Sequence, residues 1–488
     1  MRAAMLLPDA DLSLDSAPAP TRPLPWIQVA KSAPYFVDEE GAAFTPIGQN
    51  DAISWPDLEG LFRRKDMAAV ERHLRWIKAH GVNTLRLMLE YAQVRHRYFE
   101  QPAGRFVPAM VQLWDDLFAL CEKLELRILL TPVDTFWMWR HWKHLPWNKA
   151  NGGPLEHMSQ VLTCPATRAA IKNRFDFVIR RWGGSGVLFA WDLWNEIHPA
   201  QGGEEVECWD EFVHDVSTYV RSLENELYGR SHPQTVSIFG PELVLQPHHA
   251  PAMRSTLFRH PDLDFASIHI YSTGTIDNPK DTVRPALVMG GIVTECLAQI
   301  TDQRPFLDSE HGPIFSFLNK KKTLPEPFDD EYFRHLSWAH LASGGVGGGM
   351  RWPNRHPHTL THGMRRAQKS MADFVGQLDW TSLRRRNLHD RVKARHFHAF
   401  ACGDDAQALV WLLRRGTTGS DGLLRRDAVP VEASFTVPGL ADGTYRVRGW
   451  DTETGTAAEE FTADARGGDL HLTTAPIVTD RAFAITRA

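Results

Sequence analysis

The sequence predicts a (β/α)8 TIM barrel followed by a small antiparallel β-sandwich, an α/β chain in two unequal parts. Three observations carry that expectation. Apolar runs of strand length alternate with segments of helical periodicity between residues 44 and 376. After residue 384 the texture changes to short alternating runs separated by turn residues. The strand-type runs of the first part end in ionisable and aromatic side chains, as they do where a barrel presents its active site. A length of 488 residues leaves room for a barrel of roughly 250 residues and more besides.

Residues 1–33, with Pro18, Pro20, Pro23 and Pro25, read as an extended arm. The segment PYFVDEEGAAFTPIGQ reads as two strands around the turn Glu39–Gly41, the second running to Gly48 and opening the barrel. Helical spacing over 67–81 stops at Gly81, and VNTLRLMLE (82–90) follows as a strand. The alternation continues with helix 112–125, strand 127–133, helix 166–182, strand 187–196, helix 207–228 and strand 235–240. A helical stretch at 249–259 precedes strand 265–271, then helix 282–301, strand 305–312, helix 329–342, strand 346–352 and helix 362–376. Eight such units imply a parallel sheet closed into a barrel over residues 34–383. GGVGGG (344–349) runs into a strand rather than opening a helix, so it is not read as a phosphate cradle. Residues 377–390 form the junction to seven short strands, which assign 384–488 to an accessory β-sandwich.

A formal net charge of −5 argues against nucleic acid and against a membrane surface as partners. Five scattered cysteines read as reduced thiols rather than a disulfide framework. The apolar start is cut at Pro8 and Asp9, shorter than an export h-region, which predicts a cytoplasmic protein. His356, His358 and His362 lack the companions a metal centre needs, so neither metal nor cofactor is expected. Seventeen tryptophans, many in loops, suit the apolar faces of sugar rings.

The last residues of the strand runs are Asn50 and Asp51, Arg86 and Glu90, Asp134, Asn195 and Glu196, His269 and Tyr271, Asp308 and Glu310, and Arg351 and Trp352. Glu196 and Glu310 end strands four and seven, across the barrel mouth from one another. Cleaving a glycosidic bond requires such a pair, one carboxyl protonated for the leaving oxygen and one ionised for the anomeric carbon. Arg86 and Tyr271 would keep one glutamate ionised, His269 would tune the other, and Asn195 would bind a sugar hydroxyl. Strand alternation places Asp308 on the same face as Glu310. Asn50, Asp51, Asp134, Trp137, His311 and Trp352 complete the candidate binding set.

These residues resemble a known pattern. WDLWNE (191–196), SIHIY (267–271), FLDSEHG (306–312), NTLRLM (83–88) and MRWP (350–353) are similar to the strand-four, strand-six, strand-seven, strand-two and strand-eight signatures of clan A glycoside hydrolases, above all family 5. The resemblance implies that Glu196 is the acid/base, Glu310 the nucleophile, Arg86, Asn195, His269 and Tyr271 their partners, and Trp352 a sugar-stacking ring. One departure is Asp134, where many family members carry a His after strand three. The segment YRVRGWDTETG (445–455) is similar to sandwiches appended to some such enzymes. The implied activity is retaining hydrolysis of a β-gluco- or β-manno-configured glycoside. The alternatives are a catalytically silent carbohydrate-binding barrel and a metal-dependent barrel hydrolase, the latter opposed by GQND where strand one should supply His-x-His.

Overall fold

The computed structural model describes residues 23–90, 98–203, 208–315 and 323–488; the greater part of the expected N-terminal arm lies outside them. Asp38 accepts from the backbone N–H of Glu40 and Ala42, and Gly41 adopts φ +92°, so the chain reverses there. This turn joins β2 (Phe36–Asp38) to β3 (Ala43–Phe44), and β1 (Ile27–Val29) completes a small antiparallel sheet. Residues 23–33 are thus partly built into structure, with Leu24, Trp26 and Ile27 buried. The strand expected to run from Phe44 to Gly48 is broken, because Pro46 has no N–H to offer a ladder. The barrel opens instead at β4 (Gly48–Asn50).

Strands β4, β5 (Thr84–Met88), β6 (Arg127–Thr131), β7 (Leu188–Asp192) and β8 (Gln234–Thr235) pair in parallel in sequence order. Two more, β9 (Ala266–Ile270) and β10 (Phe306–His311), pair with each other. Single bridges close the ring: Phe239 to His269, and Arg351 to both His311 and Gln49. The eighth segment, 346–352, therefore contributes bridges rather than a full ladder. Its glycines permit close approach, since a Cβ on Gly347 would lie 2.2 Å from the Pro46 carbonyl oxygen. Each barrel strand is followed by a helix: Met67–Ala79, Pro108–Leu124, Pro165–Val178, Cys208–Tyr228, Ala250–Arg259, Val283–Leu297, Glu326–Ala342 and His362–Val375.

The second part is one antiparallel sheet of β11 (Arg386–Asn387), β12 (Phe397–Gly403), β13 (Gln407–Arg414), β14 (Ser434–Pro438), β15 (Gly443–Asp451), β16 (Thr456–Arg466), β17 (Asp469–Thr473) and β18 (Asp480–Arg487). Its order is β11-β12-β13-β18-β15-β16-β17-β14. The sheet folds over on itself, so Phe435 of β14 packs on Phe483 of β18 with ring centroids 5.7 Å apart. β13 is buried on both faces. Ala408, Val410 and Leu412 enter the sandwich core, while Leu409, Trp411 and Leu413 join the barrel core. That double burial explains why its sequence is a continuous apolar run rather than an alternating one. The same packing covers the outer side of Glu326–Ala342, which is buried almost all round. Among the described residues no helix is long and apolar enough to cross a membrane.

Candidate active site

At the C-terminal end of the barrel the fully buried guanidinium of Arg86 organises the centre. Its Nη1 donates to Asn50 Oδ1 at 2.8 Å and to Glu310 Oε2 at 3.0 Å. Its Nη2 donates to Asp192 Oδ2 at 2.8 Å and to Asn195 Oδ1. Four strands are tied together by one planar cation whose fork suits carboxylate and amide oxygens. Asn50 returns its own N–H groups to the carbonyls of Ser309 and Met350, which fixes the seam where β10 and the eighth segment meet β4.

Glu310 accepts from Tyr271 Oη at 2.8 Å on its other oxygen, so both carboxylate oxygens are held. Burial pushes its pKa up, with the nearby Glu196 adding to that, while His269, Arg86 and the Tyr271 hydrogen bond pull it back. Glu196 meets His269 Nδ1 through Oε1 at 2.8 Å. Burial carries the Glu196 carboxyl up to about 7, with Asp192 and Glu242 reinforcing the shift and Arg86 and His198 opposing it. His269 is driven down to about 4 by burial, so its ring is neutral at pH 7. The two glutamates keep a little solvent contact, 18% for Glu196 and 10% for Glu310, as groups at an open mouth do.

Glu196 sits at φ +52°, an uncommon conformation for a side-chain-bearing residue. The backbone is held there by its own N–H donating to Ser237 Oγ at 3.3 Å and by Ile197 N–H donating to the Ser237 carbonyl at 3.0 Å. Ser237 in turn donates to Asp192 at 2.8 Å. Asp192 and Ser237 are the members of the site that the strand-end reading missed. Reading the fourth run through to Glu196 hid that the regular strand stops at Asp192, a carboxylate alternating with inward Ala190. A charge inside FAWDLW was the available signal.

Asp134 lies one step behind the mouth and is fully buried. It caps helix Thr135–His141 by accepting from the N–H of Phe136 at 3.2 Å and Trp137 at 2.7 Å, and it accepts from Asn195 Nδ2. Burial raises its pKa to about 8. The residue that replaces the expected His therefore aims Asn195 rather than facing the cavity. Trp137, Trp352, Trp55, Ala52 and Met88 form a separate apolar cluster at the rim, in which Trp55 meets Trp352 edge-on at 5.0 Å and stacks on His358 at 4.8 Å.

Three residues of the candidate set or its surroundings are placed elsewhere. A register shift between Asp308 and Glu310 breaks the strand alternation. Asp308 consequently turns toward the helix layer, where its Oδ2 meets His311 Nδ1 at 2.7 Å and its N–H donates to His340 Nε2 at 3.1 Å. Asp308 and Glu310 do not share a face, contrary to the alternation. His311 goes with Asp308, buried and neutral, its pKa pushed down to about 3 and its ring near Phe333. Asp51 also leaves the mouth. It accepts from Ala52 N–H at 2.7 Å and groups with Asp57 and His73, while burial raises it to about 8.

No protein-family model and no curated protein sequence matches the chain. Solved structures do. One described as a glycoside hydrolase superposes with a TM-score of 0.58 at 12% identity, covering 95% of this chain and 98% of that one. A glycoside hydrolase family 5 protein from Bacteroides vulgatus gives 0.60 at 10% identity, covering 95% of each chain. A family 5 mannosidase from Rhizomucor miehei gives 0.51 at 16% identity, over 67% of this chain and 86% of that one. The first two span both parts of the molecule, and the protein has the barrel-plus-β-domain fold of these glycoside hydrolase structures.

Proposed function

We propose that the protein is a retaining β-glycoside hydrolase acting on β-gluco- or β-manno-configured oligosaccharides, polysaccharides or glycoconjugates. Residues 34–383 would be its catalytic part and 384–488 an accessory domain. The observation that carries this reading is the carboxylate pair: Glu196 and Glu310 each offer an oxygen within 4.8 Å of the other, with His269 between them. So close an approach of their nearest oxygens favours the about 5–5.5 Å spacing of retaining carboxyl groups over the about 6.5–9.5 Å of inverting ones.

The opposed environments divide the labour. Glu196, with its pKa raised to about 7, keeps a protonated fraction at neutral pH, and that form gives its proton to the glycosidic oxygen as the C1–O bond breaks. Glu310, held by Arg86 and Tyr271, uses a carboxylate oxygen to form the bond to C1, and a glycosyl ester results. Esterification removes the negative charge of Glu310, which lowers the proton affinity of Glu196. Glu196 then takes a proton from water as the water oxygen attacks C1, and the ester breaks to restore the Glu310 carboxylate. His269, neutral throughout, keeps Glu196 Oε1 in place without competing for a full charge.

Glu196, His269 and Glu310 could also be counted as three metal ligands. Arg86 opposes that use, since its guanidinium already donates to Glu310 and its charge would face the ion. The test is hydrolysis of aryl β-glycosides and of gluco- and manno-oligosaccharides by wild type, Glu310→Gln and Glu196→Gln, with and without chelator. The expected result is turnover by wild type that survives chelation and falls to background in Glu310→Gln. Glu196→Gln should lose about 10²–10⁴-fold on oligosaccharides, and less on aryl glycosides whose leaving group needs no proton. Sugar binding without turnover by wild type would support a silent barrel instead.

A further inference from the structure

Six large apolar side chains are well exposed among the described residues, and five of them stand on loops at the C-terminal end of the barrel. Phe136 (40% exposed) and Trp139 (41%) belong to helix Thr135–His141 after β6, and Val244 (76%) and Leu245 (69%) to the single turn Glu242–Leu245 after β8. These two pairs flank the Glu196 loop. Trp139 meets the His198 ring edge-on at 4.9 Å, and His198 lies 3.6 Å from Glu242 Oε2 and 3.1 Å from Gln246 Nε2. An exposed margin thus runs from the loop after β6 to the turn after β8, apolar at both ends and polar in its middle at His198, Glu242 and Gln246, and His198 is two residues from Glu196.

We infer that the leaving group of the substrate is an apolar chain, so that the natural substrate is an amphiphilic glycoside with an alkyl or acyl aglycone. The inference rests on the proposed role of Glu196, because the acid that protonates the leaving oxygen must have the aglycone beside it. Apolar faces of sugar rings stack on tryptophan, and the separate cluster of Trp55, Trp137 and Trp352 holds such rings. Branched aliphatic side chains offer a sugar neither a flat face nor a hydrogen bond. Val244 and Leu245, left mostly in water, fit a hydrocarbon chain, and exposed apolar groups grouped at a site mark a binding surface.

The experiment is calorimetric binding of S-alkyl 1-thio-β-glucosides and β-mannosides, butyl to octyl and below their micelle concentrations, to wild type and to Val244→Ser/Leu245→Ser. Both substituted residues are exposed, and neither touches the carboxylate pair. In wild type Kd should fall about twofold per methylene, short of the about fourfold of complete burial. In the double variant that dependence should flatten, with butyl affinity unchanged. A Kd independent of chain length in wild type would overturn the inference while leaving the glycosidase reading intact, as would a slope unaltered in the variant. Absence of binding at every chain length would overturn both. Binding of sugar-free phosphatidylcholine vesicles that the double substitution abolishes would reassign the margin to a lipid surface.

Discussion

Arg86 shows how much of the site rests on a single side chain, since Asn50, Asp192, Asn195 and Glu310 all depend on it. Arg86→Lys keeps the charge but loses the fork. It should fold, with a lowered Tm and a kcat reduced by more than about tenfold, measurable by calorimetry and steady-state kinetics on one preparation. At Glu310, the proposed nucleophile, Tyr271→Phe removes a hydrogen bond to the charged form, a contact of about 1.5–3 kcal/mol. The pKa of Glu310 should rise further, so the acidic limb of the kcat/KM profile should move to higher pH. In the proposed mechanism the alkaline limb reports Glu196, which must be protonated. Its pKa is raised, so activity is present below about pH 7 and is lost as pH rises through that value. An alkaline limb near pH 10, or one unmoved in Glu196→Gln, would contradict this assignment.

At the scale of elements, Asp134 joins a helix start to an active-site amide. Asp134→Ala should cost about 1–2 kcal/mol through the lost cap, seen in denaturant unfolding. It should also raise KM, because Asn195 loses the partner that orients it. Asp134 was legible as a strand-end residue, but its direction was not, because that is set by the two N–H groups of the following turn. The same limit explains His311 and Asp308. Period-two alternation ranks residues along a regular strand, and a one-residue register shift turns Asp308 to the helix layer while Glu310 reaches the mouth. Arg86 and His269 lie on regular ladders that the strand-end rule reaches, whereas Asn195, Glu196 and Tyr271 lie just past a ladder's end and Glu310 beyond a register shift, where residue type rather than strand regularity marked them. Asp192 and Ser237 were obscured because the apolar runs continue past the last ladder pair. The barrel itself was legible from alternation, whereas the break at Pro46 and the ladder-poor eighth segment are local backbone matters that periodicity averages over.

Across the whole molecule, the barrel and the folded sheet share a core. Trp411 is fully buried among barrel residues, and its Nε1 donates to Asp480 Oδ2 at 3.0 Å. Asp480 also pairs with Arg334 of Glu326–Ala342 at 2.6 Å. Thermal unfolding should therefore be a single transition. Trp411→Ala should destabilise by about 3–5 kcal/mol, and deletion after residue 383 should leave an insoluble barrel. Arg334 holds the Asp480 carboxyl far below the usual range. The stability it supplies is present above about pH 4 and is lost as pH falls toward the depressed value. The Tm gap between wild type and Asp480→Asn should accordingly be full at pH 7 and narrow toward pH 2; a gap that widens on acidification would contradict the pairing.

The most direct test of the two-carboxylate assignment is to trap the intermediate. Wild type would be incubated with dinitrophenyl 2-deoxy-2-fluoro-β-glucoside and β-mannoside, then intact protein and peptides weighed by mass spectrometry. One fluorosugar per chain, attached to the peptide containing Glu310 and absent in Glu310→Gln, is the result expected. Steady hydrolysis of the parent glycosides with no adduct and a product of inverted configuration, or an adduct on another residue, would contradict it.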